Sequence, residues 1–311
     1  MRIYRNDPAD WDPGQPTALA IGVFDGVHRG HVAVLRSLQE RSGGMPVIAM
    51  TFAVHPDEVV TGMPAPPALA PLERRIERLR DIGLDGVAVI DFDEDVRQLS
   101  PEEFIKDYIV DGLSAAVVSV GEDFRFGYQA AGSVDTLRLG GTRHGFEVLA
   151  TPIVGIYGTE VRSSAIRAAV AAGGVALASS MLGRPFEIEG SVVPGDERGR
   201  TIGFPTANIT MPDCLVNPAT GVYAVRCEVD GRAYLGVSNV GTRPTFGGGD
   251  ETIEVHLLDT DEDLYGKTMR VQFIDRLRSE QHFDSVEELV QQIERDVEQA
   301  RAVLESSSTP R

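Results

Sequence analysis

Two kinds of hydrophobic pattern share this chain of 311 residues. From Thr17 to about residue 160, continuous apolar runs alternate with stretches of helical period. Residues 17–23 have the unbroken apolar character of a buried parallel strand, and Val32, Val34, Leu35 and Leu38 then recur at helical spacing. The same alternation continues through Pro46–Phe52, Leu72–Ile82, Gly86–Phe92, Pro101–Tyr108, Ala115–Val120, Thr136–Gly145 and Glu147–Pro152. It predicts an α/β domain with a doubly wound, Rossmann-like parallel sheet and crossover helices, binding its ligand beyond the carboxyl ends of the strands.

Past residue 183 the period shortens. Phe186–Val193, Gly221–Val229, Ala233–Asn239, Thr252–Leu258 and Met269–Arg278 are short alternating or β-branched runs broken by glycine, which predicts a small antiparallel β-barrel. The end is helical: Ser285–Glu288 reads as a capping box, and Val286, Leu289, Val290, Ile293, Val297 and Ala300 form one apolar stripe. A closing C-terminal helix over about 285–304 is therefore expected on the barrel, with Ser306–Arg311 a frayed tail and Gly247–Gly249 a flexible hairpin tip. The junction falls near Leu182–Pro185, after a short Ala/Gly-rich helix, giving domains 1–182 and 183–311.

Composition narrows the function. There are 29 basic and 47 acidic residues, a net charge of −18. The excess is shared: residues 1–183 hold 24 acidic against 16 basic, and residues 184–311 hold 23 against 13. Neither half is built for nucleic acid. An anionic substrate must then be held by local arginines, backbone N–H groups and a metal ion, which points to Mg2+. The charged N-terminus lacks a signal-peptide core and no segment approaches a membrane span of roughly 18 apolar residues, so a cytoplasmic protein without membrane partners is expected. A homo-oligomer is compatible with the sequence. Cys214 and Cys227 lack metal-site spacing and read as buried free thiols.

The turn between the first strand and helix carries the first candidate chemistry. Gly22, Gly26 and Gly30 allow close backbone approach to a ligand, and N–H groups at a helix start attract phosphate oxygens. His28 and His31 lie on one face of the first helical turn, where both imidazoles can donate to phosphate as charge develops on phosphorus. The ten residues Gly22–His31 resemble the nucleotidyltransferase signature in the FAD synthetase domain of prokaryotic bifunctional riboflavin kinase/FAD synthetases. The resemblance runs from about residue 17 to 302. It implies that Gly22, Phe24, Asp25, Gly26, His28 and His31 bind ATP, with the two histidines catalytic.

Three more segments follow the family's pattern. Thr51–Pro56 supplies His55, although Val54 stands where the family usually has proline, and Gly121–Gly127 supplies Asp123, Phe124 and Arg125; both segments imply a flavin pocket. Arg162–Arg167 resembles a Ser-Ser-Thr-x-Ile-Arg segment that binds triphosphate, implying roles for Ser163, Ser164 and Arg167. Ser164 then takes the threonine position and Arg162 replaces the first serine. By itself, Ser-Ser before a helix is an N-cap.

In the barrel, Gly195–Asn208 combines glycines suited to a loop over phosphate with a hydroxyl and an amide oxygen, both hard donors for magnesium. Its Gly-Arg-x-x-Gly-Phe-Pro-Thr-Ala-Asn end resembles the hallmark of riboflavin kinases, implying that Gly195, Gly199, Arg200, Gly203, Pro205, Thr206 and Asn208 bind ATP, with Thr206 and Asn208 toward the metal. Glu254 alternates with Ile253 and Val255; a solvent-facing glutamate is the plain reading, and the family's Glu-Val-His pattern implies the base for the ribityl hydroxyl. Arg278 and Phe283 fall where the family closes over the flavin. The expectation is a bifunctional enzyme that makes FMN from riboflavin and FAD from FMN, using ATP and Mg2+. The alternatives are one surviving activity, the kinase before the other, or a flavin-binding regulator without turnover.

Overall fold

The structure, a computed structural model, describes every residue except Asn6, Asp196, Glu197, Met211, Asp213, residues 244–249, Asp261, Asp263 and residues 307–311, and the side chains of Arg198, Arg200, Arg243, Asp250 and Glu251. The expected hairpin tip at Gly247–Gly249 and the tail beyond Ser306 lie outside the described residues, as does the Arg200 side chain. By packing, the chain divides into compact units Met1–Ser163 and Ser164–Arg311. The short helices that precede the expected junction thus pack with the second unit.

The first unit is built on β1 (Arg2–Tyr4), β2 (Thr17–Ile21), β3 (Val47–Phe52), β4 (Gly86–Ile90), β5 (Ala115–Gly121) and, after a ribbon of β6 (Arg125–Phe126) and β7 (Gly132–Ser133), β8 (Glu147–Thr151). The strands pair in parallel in the order β1-β4-β3-β2-β5-β8. Both faces are buried, which is why β2 and β4 read as continuous apolar runs. Ala18, Ala20, Ala49 and Val87 face α1 (Arg29–Arg41) and α3 (Leu72–Asp81), while Leu19, Ile21, Met50 and Val118 face the opposite core of Phe104, Ile105 and Leu137. Strand order reverses at β2/β5, and the chain leaves a crevice there. β1 escaped the sequence reading because three residues carry no period. So did α2 (Pro56–Thr61), capped by His55; the short α4 (Glu94–Gln98) and α5 (Pro101–Phe104), then α6 (Val134–His144), follow α3, and a ribbon of β9 (Gly155–Ile156) and β10 (Thr159–Glu160) follows β8.

The second unit opens with α7 (Ser163–Ala171, all but its first residue) and α8 (Val175–Leu182). Then β11 (Phe186–Val193), β12 (Ala207–Thr210), β13 (Gly221–Val229), β14 (Arg232–Arg243), β15 (Asp250–Leu257) and β16 (Thr268–Arg278) form a closed barrel in the order β11-β12-β15-β14-β13-β16, with the one-turn α9 (Arg198–Thr201) between β11 and β12. Among the described residues every strand pairing of the barrel is antiparallel. Val225, Cys227, Ile253, Val255, Val271 and Phe273 are buried in alternate strand positions. The intervening positions Val222, Ala224 and Val237 pack outward on Ala300 and Leu304 of α10 (Val286–Ser306). The expected capping box is half formed: Ser285 Oγ accepts from Glu288 N–H at 3.2 Å, whereas Glu288 Oε2 accepts from Asp284 N–H. Cys214 is exposed, so the expectation of two buried thiols holds only for Cys227; Cys214 sits in a turn, without a strand to bury it.

Candidate functional site

In the first unit His28 is the N-cap of α1 and His31 its third residue. The two imidazoles stack at 3.6 Å between centroids, 15° apart. Each Nδ1 accepts the other residue's backbone N–H at 3.3 Å. An Nδ1 that accepts is unprotonated, so the neutral rings carry their protons on Nε2 and present them as donors. Gly30 permits this arrangement, since a Cβ there would stand 3.1 Å from His28 Cε1 and Nδ1. Phe24 and Val27 hold positive φ of 54° and 41°, strain that costs about 1–3 kcal/mol each and is held by the surrounding core. The Phe24 ring and the Asp25 carboxylate are buried, and Asp25 Oδ1 accepts from Leu69 N–H at 2.9 Å. What these two residues can offer a ligand is therefore loop shape and backbone. Ser163 Oγ donates to Asp25 O at 3.0 Å, tying the first residue of α7 to the glycine turn. Ser164 and Arg167 lie in the second compact unit, in the first turns of α7.

Arg75 was absent from the sequence reading. It is buried on α3, and its Nη1 donates to Val23 O at 2.9 Å, Thr51 Oγ1 at 3.0 Å and Phe52 O at 3.0 Å. Burial lowers its pKa, with Asp25 and Glu73 opposing. One cation thereby joins the ends of β2 and β3, from which the Gly22–His31 turn and the His55 loop depart.

Beside these strand ends lies an apolar cavity of about 580 Å³. Gly22, Val23, Phe52, His55, Phe92, Phe124, Arg125 and Phe126 line it. Phe124 stacks on Phe126 at 5.4 Å, and Phe52 meets Phe92 edge-on at 5.6 Å. A flat aromatic ligand suits these walls. His55, Phe124 and Arg125 are brought together as expected, but Asp123 is not among the lining residues: its carboxylate is ion-paired with Arg162, which also holds Glu160 at 2.7 Å. Arg162, the departure from the family pattern, thus has a defined partner on the Gly121–Gly127 loop.

In the second unit the register aligns Asn208 with Glu254 and Glu254 with Asn239. Three polar residues therefore stand in one row on the outer face of β12, β15 and β14, because directly paired residues share a face. The row borders a cleft of about 350 Å³ under α10, lined by Thr206, Asn239, Glu254, Arg278, Phe283 and Asp296 among others. Gly195, which ends the segment after β11, and Gly199 in α9 each sit close against the hallmark residues. A Cβ at Gly195 would stand 2.0 Å from Asn208 Nδ2, and one at Gly199 would stand 2.3 Å from Phe204 O and 3.4 Å from Thr206 Oγ1. Gly203 holds φ +90°. His256 Nδ1 donates to Pro205 O at 2.8 Å, fixing the Phe204–Pro205 turn to β15. Among the described residues no group of three or more His, Cys, Asp or Glu could hold a metal ion.

Fold and sites define a chain with two nucleotide-dependent transferase centres, one at the switch point of a parallel sheet and one on the flank of a barrel. The FAD synthetase family model matches residues 12–165 and the riboflavin kinase model residues 182–304. The bifunctional riboflavin kinase/FMN adenylyltransferase of Escherichia coli K12 is 43% identical over 292 residues, 93% of each chain. That of Bacillus subtilis 168 is 38% identical over 296 residues, 91% of each. A crystal structure described as a macrolide-efflux protein from Streptococcus pneumoniae superposes with a TM-score of 0.90 at 31% identity, over 97% of this chain and 99% of that one. Among the described residues no helix is long and apolar enough to cross a membrane. The chain belongs to the bifunctional riboflavin kinase/FMN adenylyltransferase family.

Proposed function

We propose that each activity of the family is carried by the residues that converge in its own unit. The chain is a riboflavin kinase in its C-terminal part and an FMN adenylyltransferase in its N-terminal part; its substrates are riboflavin, FMN and ATP. The expected functional division at 182/183 is kept as part of this reading, with cytoplasm as the site of action.

In adenylyl transfer, an FMN phosphate oxygen attacks the α-phosphorus of ATP in line; the new P–O bond forms as the bond to pyrophosphate breaks. The nucleophile is already an anion, so positioning and charge stabilisation matter more than a base. His28 and His31 donate from Nε2 to the phosphates, and the aromatic cavity with His55, Phe124 and Arg125 takes the flavin.

In phosphorylation, the terminal ribityl oxygen attacks the γ-phosphorus, ADP leaves, and Glu254 accepts the hydroxyl proton. The observation that carries this assignment is the register row Asn208–Glu254–Asn239 beside a cleft that also holds Thr206, Arg278 and Phe283. Thr206 and Asn208 offer hard oxygen donors beneath a glycine cradle that a Cβ would fill, so they fit a magnesium ion shared with ATP. Such an ion would neutralise phosphate charge. Purified protein incubated with riboflavin, ATP and magnesium should yield FAD on chromatography; FMN alone contradicts the first site, and unchanged riboflavin contradicts the kinase site.

A further inference from the structure

α10 packs an apolar stripe on the barrel, yet one of its buried positions is a carboxylate. Asp296 is 3% exposed and lies beside Ile293 and Val297 in sequence. Its oxygens are taken: Arg278 Nε donates to Oδ1 and Oδ2 at 3.0 Å each, Arg278 Nη2 to Oδ2 at 2.8 Å, and Gln292 Nε2 to Oδ1 at 2.9 Å. Arg278 Nη1 donates to Ser279 O at 3.0 Å, and the guanidinium carbon stands 5.7 Å from the Phe283 ring centroid. The guanidinium is thus held in one plane at the cleft wall.

Burying an ion pair on a helix face that apolar residues could fill is poor value for stability alone, because desolvation offsets most of the attraction. A fixed guanidinium does have a use: it is a flat cationic surface that stacks on aromatic rings and donates to carbonyl oxygens in its plane. A flavin presents both features. We propose that Asp296 is a positioning residue for riboflavin phosphorylation, acting through Arg278: it holds the guanidinium against Phe283, where the two form the wall on which the flavin ring rests. Asp296 does not touch substrate itself. This rests on the reading that Arg278 and Phe283 contact the flavin.

The test uses the full-length protein and both assays: the kinase kcat and ATP KM are the control on the fold of the barrel, and adenylyl transfer to added FMN is the control on the other unit. Asp296→Asn should raise the riboflavin KM roughly tenfold, the loss of about one charge-assisted hydrogen bond, with kcat and the ATP KM little changed and adenylyl transfer to added FMN intact. Arg278→Lys should raise the same KM, and the double variant should be no worse than the poorer single one. Gln292→Met, a milder change, should give a smaller rise in the same constant. An unchanged riboflavin KM in Asp296→Asn while Arg278→Lys raises it overturns the proposal. So do multiplicative effects in the double variant, or equal rises in the riboflavin and ATP KM. If Arg278→Lys itself binds riboflavin normally while Glu254→Gln stops phosphorylation, the flavin-contact reading of Arg278 is what fails, and the positioning role falls with it.

Discussion

Arg75 and Val23 are 52 residues apart in the chain, yet the Arg75 guanidinium donates to the Val23 carbonyl oxygen at 2.9 Å. The same nitrogen reaches Thr51 and Phe52, so a single buried cation fastens the nucleotide turn to the loop that carries His55. Replacement by methionine keeps the stem and removes the donors, leaving the Val23 carbonyl oxygen with Thr51 Oγ1 alone and depriving the Phe52 carbonyl oxygen of its Arg75 donor, at about 1–3 kcal/mol. Arg75→Met should lower the unfolding midpoint of the first unit and depress adenylyl transfer by an order of magnitude or more, with riboflavin phosphorylation far less affected. Separate assays of the two steps and a denaturant titration check it.

Arg162 and Asp123 form a different kind of pair. Their side chains are 40% and 52% exposed, so the pair adds at most about 1 kcal/mol to stability. What the pair holds is the Gly121–Gly127 loop, whose Phe124 and Arg125 line the aromatic cavity. Arg162→Ala should leave the unfolding midpoint within error and change the KM for FMN in adenylyl transfer several-fold, with the KM for riboflavin in the kinase step unmoved. A change in both constants would mean the pair acts on the whole chain.

Two glycines of the kinase loop differ in what a methyl group would meet. At Gly195 a Cβ would collide with Asn208 at 2.0 Å, whereas at Gly203 nothing lies within 4 Å and only the positive φ is strained. Gly195→Ala should therefore abolish or nearly abolish FMN formation. Gly203→Ala should cost about 1 kcal/mol and retain most of the rate. Steady-state kinase assays on the two variants make the comparison.

Much of this was legible beforehand. The apolar run at 17–23, the helical period after Val32 and the glycine-broken runs beyond Phe186 announced a parallel sheet followed by a barrel, because burial on both faces or on alternate faces writes a distinct period. β12 was hidden because its first two residues, Ala207 and Asn208, end the hallmark segment and read as loop chemistry. Arg75 and Asp296 were missed for a shared reason. Each occupies the apolar stripe of its helix, Arg75 with Leu72, Ile76 and Leu79, Asp296 with Leu289, Ile293, Val297 and Ala300. A charge on such a stripe is the signal that could have found them, but its partner comes from distant chain and no local period names it. The Asp123–Arg162 pair was likewise invisible, since it joins two loops 39 residues apart.

The two cysteines provide a test of the barrel. Burial pushes the Cys227 thiol up to about 12, so almost none is thiolate at neutral pH, while Cys214 is exposed. A thiol reagent at pH 8 should modify one cysteine in the native protein and two in denaturant. Two rapid modifications in the native state would contradict the closed barrel.

Two centres, one in each unit, act in sequence within one chain. The flavin product distribution of two variants supplied with riboflavin, ATP and magnesium, and then with FMN, measures this division most directly. His31→Ala should stop at FMN. Glu254→Gln should make no FMN from riboflavin yet convert added FMN to FAD at the unmodified rate. If His31→Ala still accumulates FAD, or if Glu254→Gln phosphorylates riboflavin normally, the division of chemistry between the stacked histidines and the barrel glutamate is wrong.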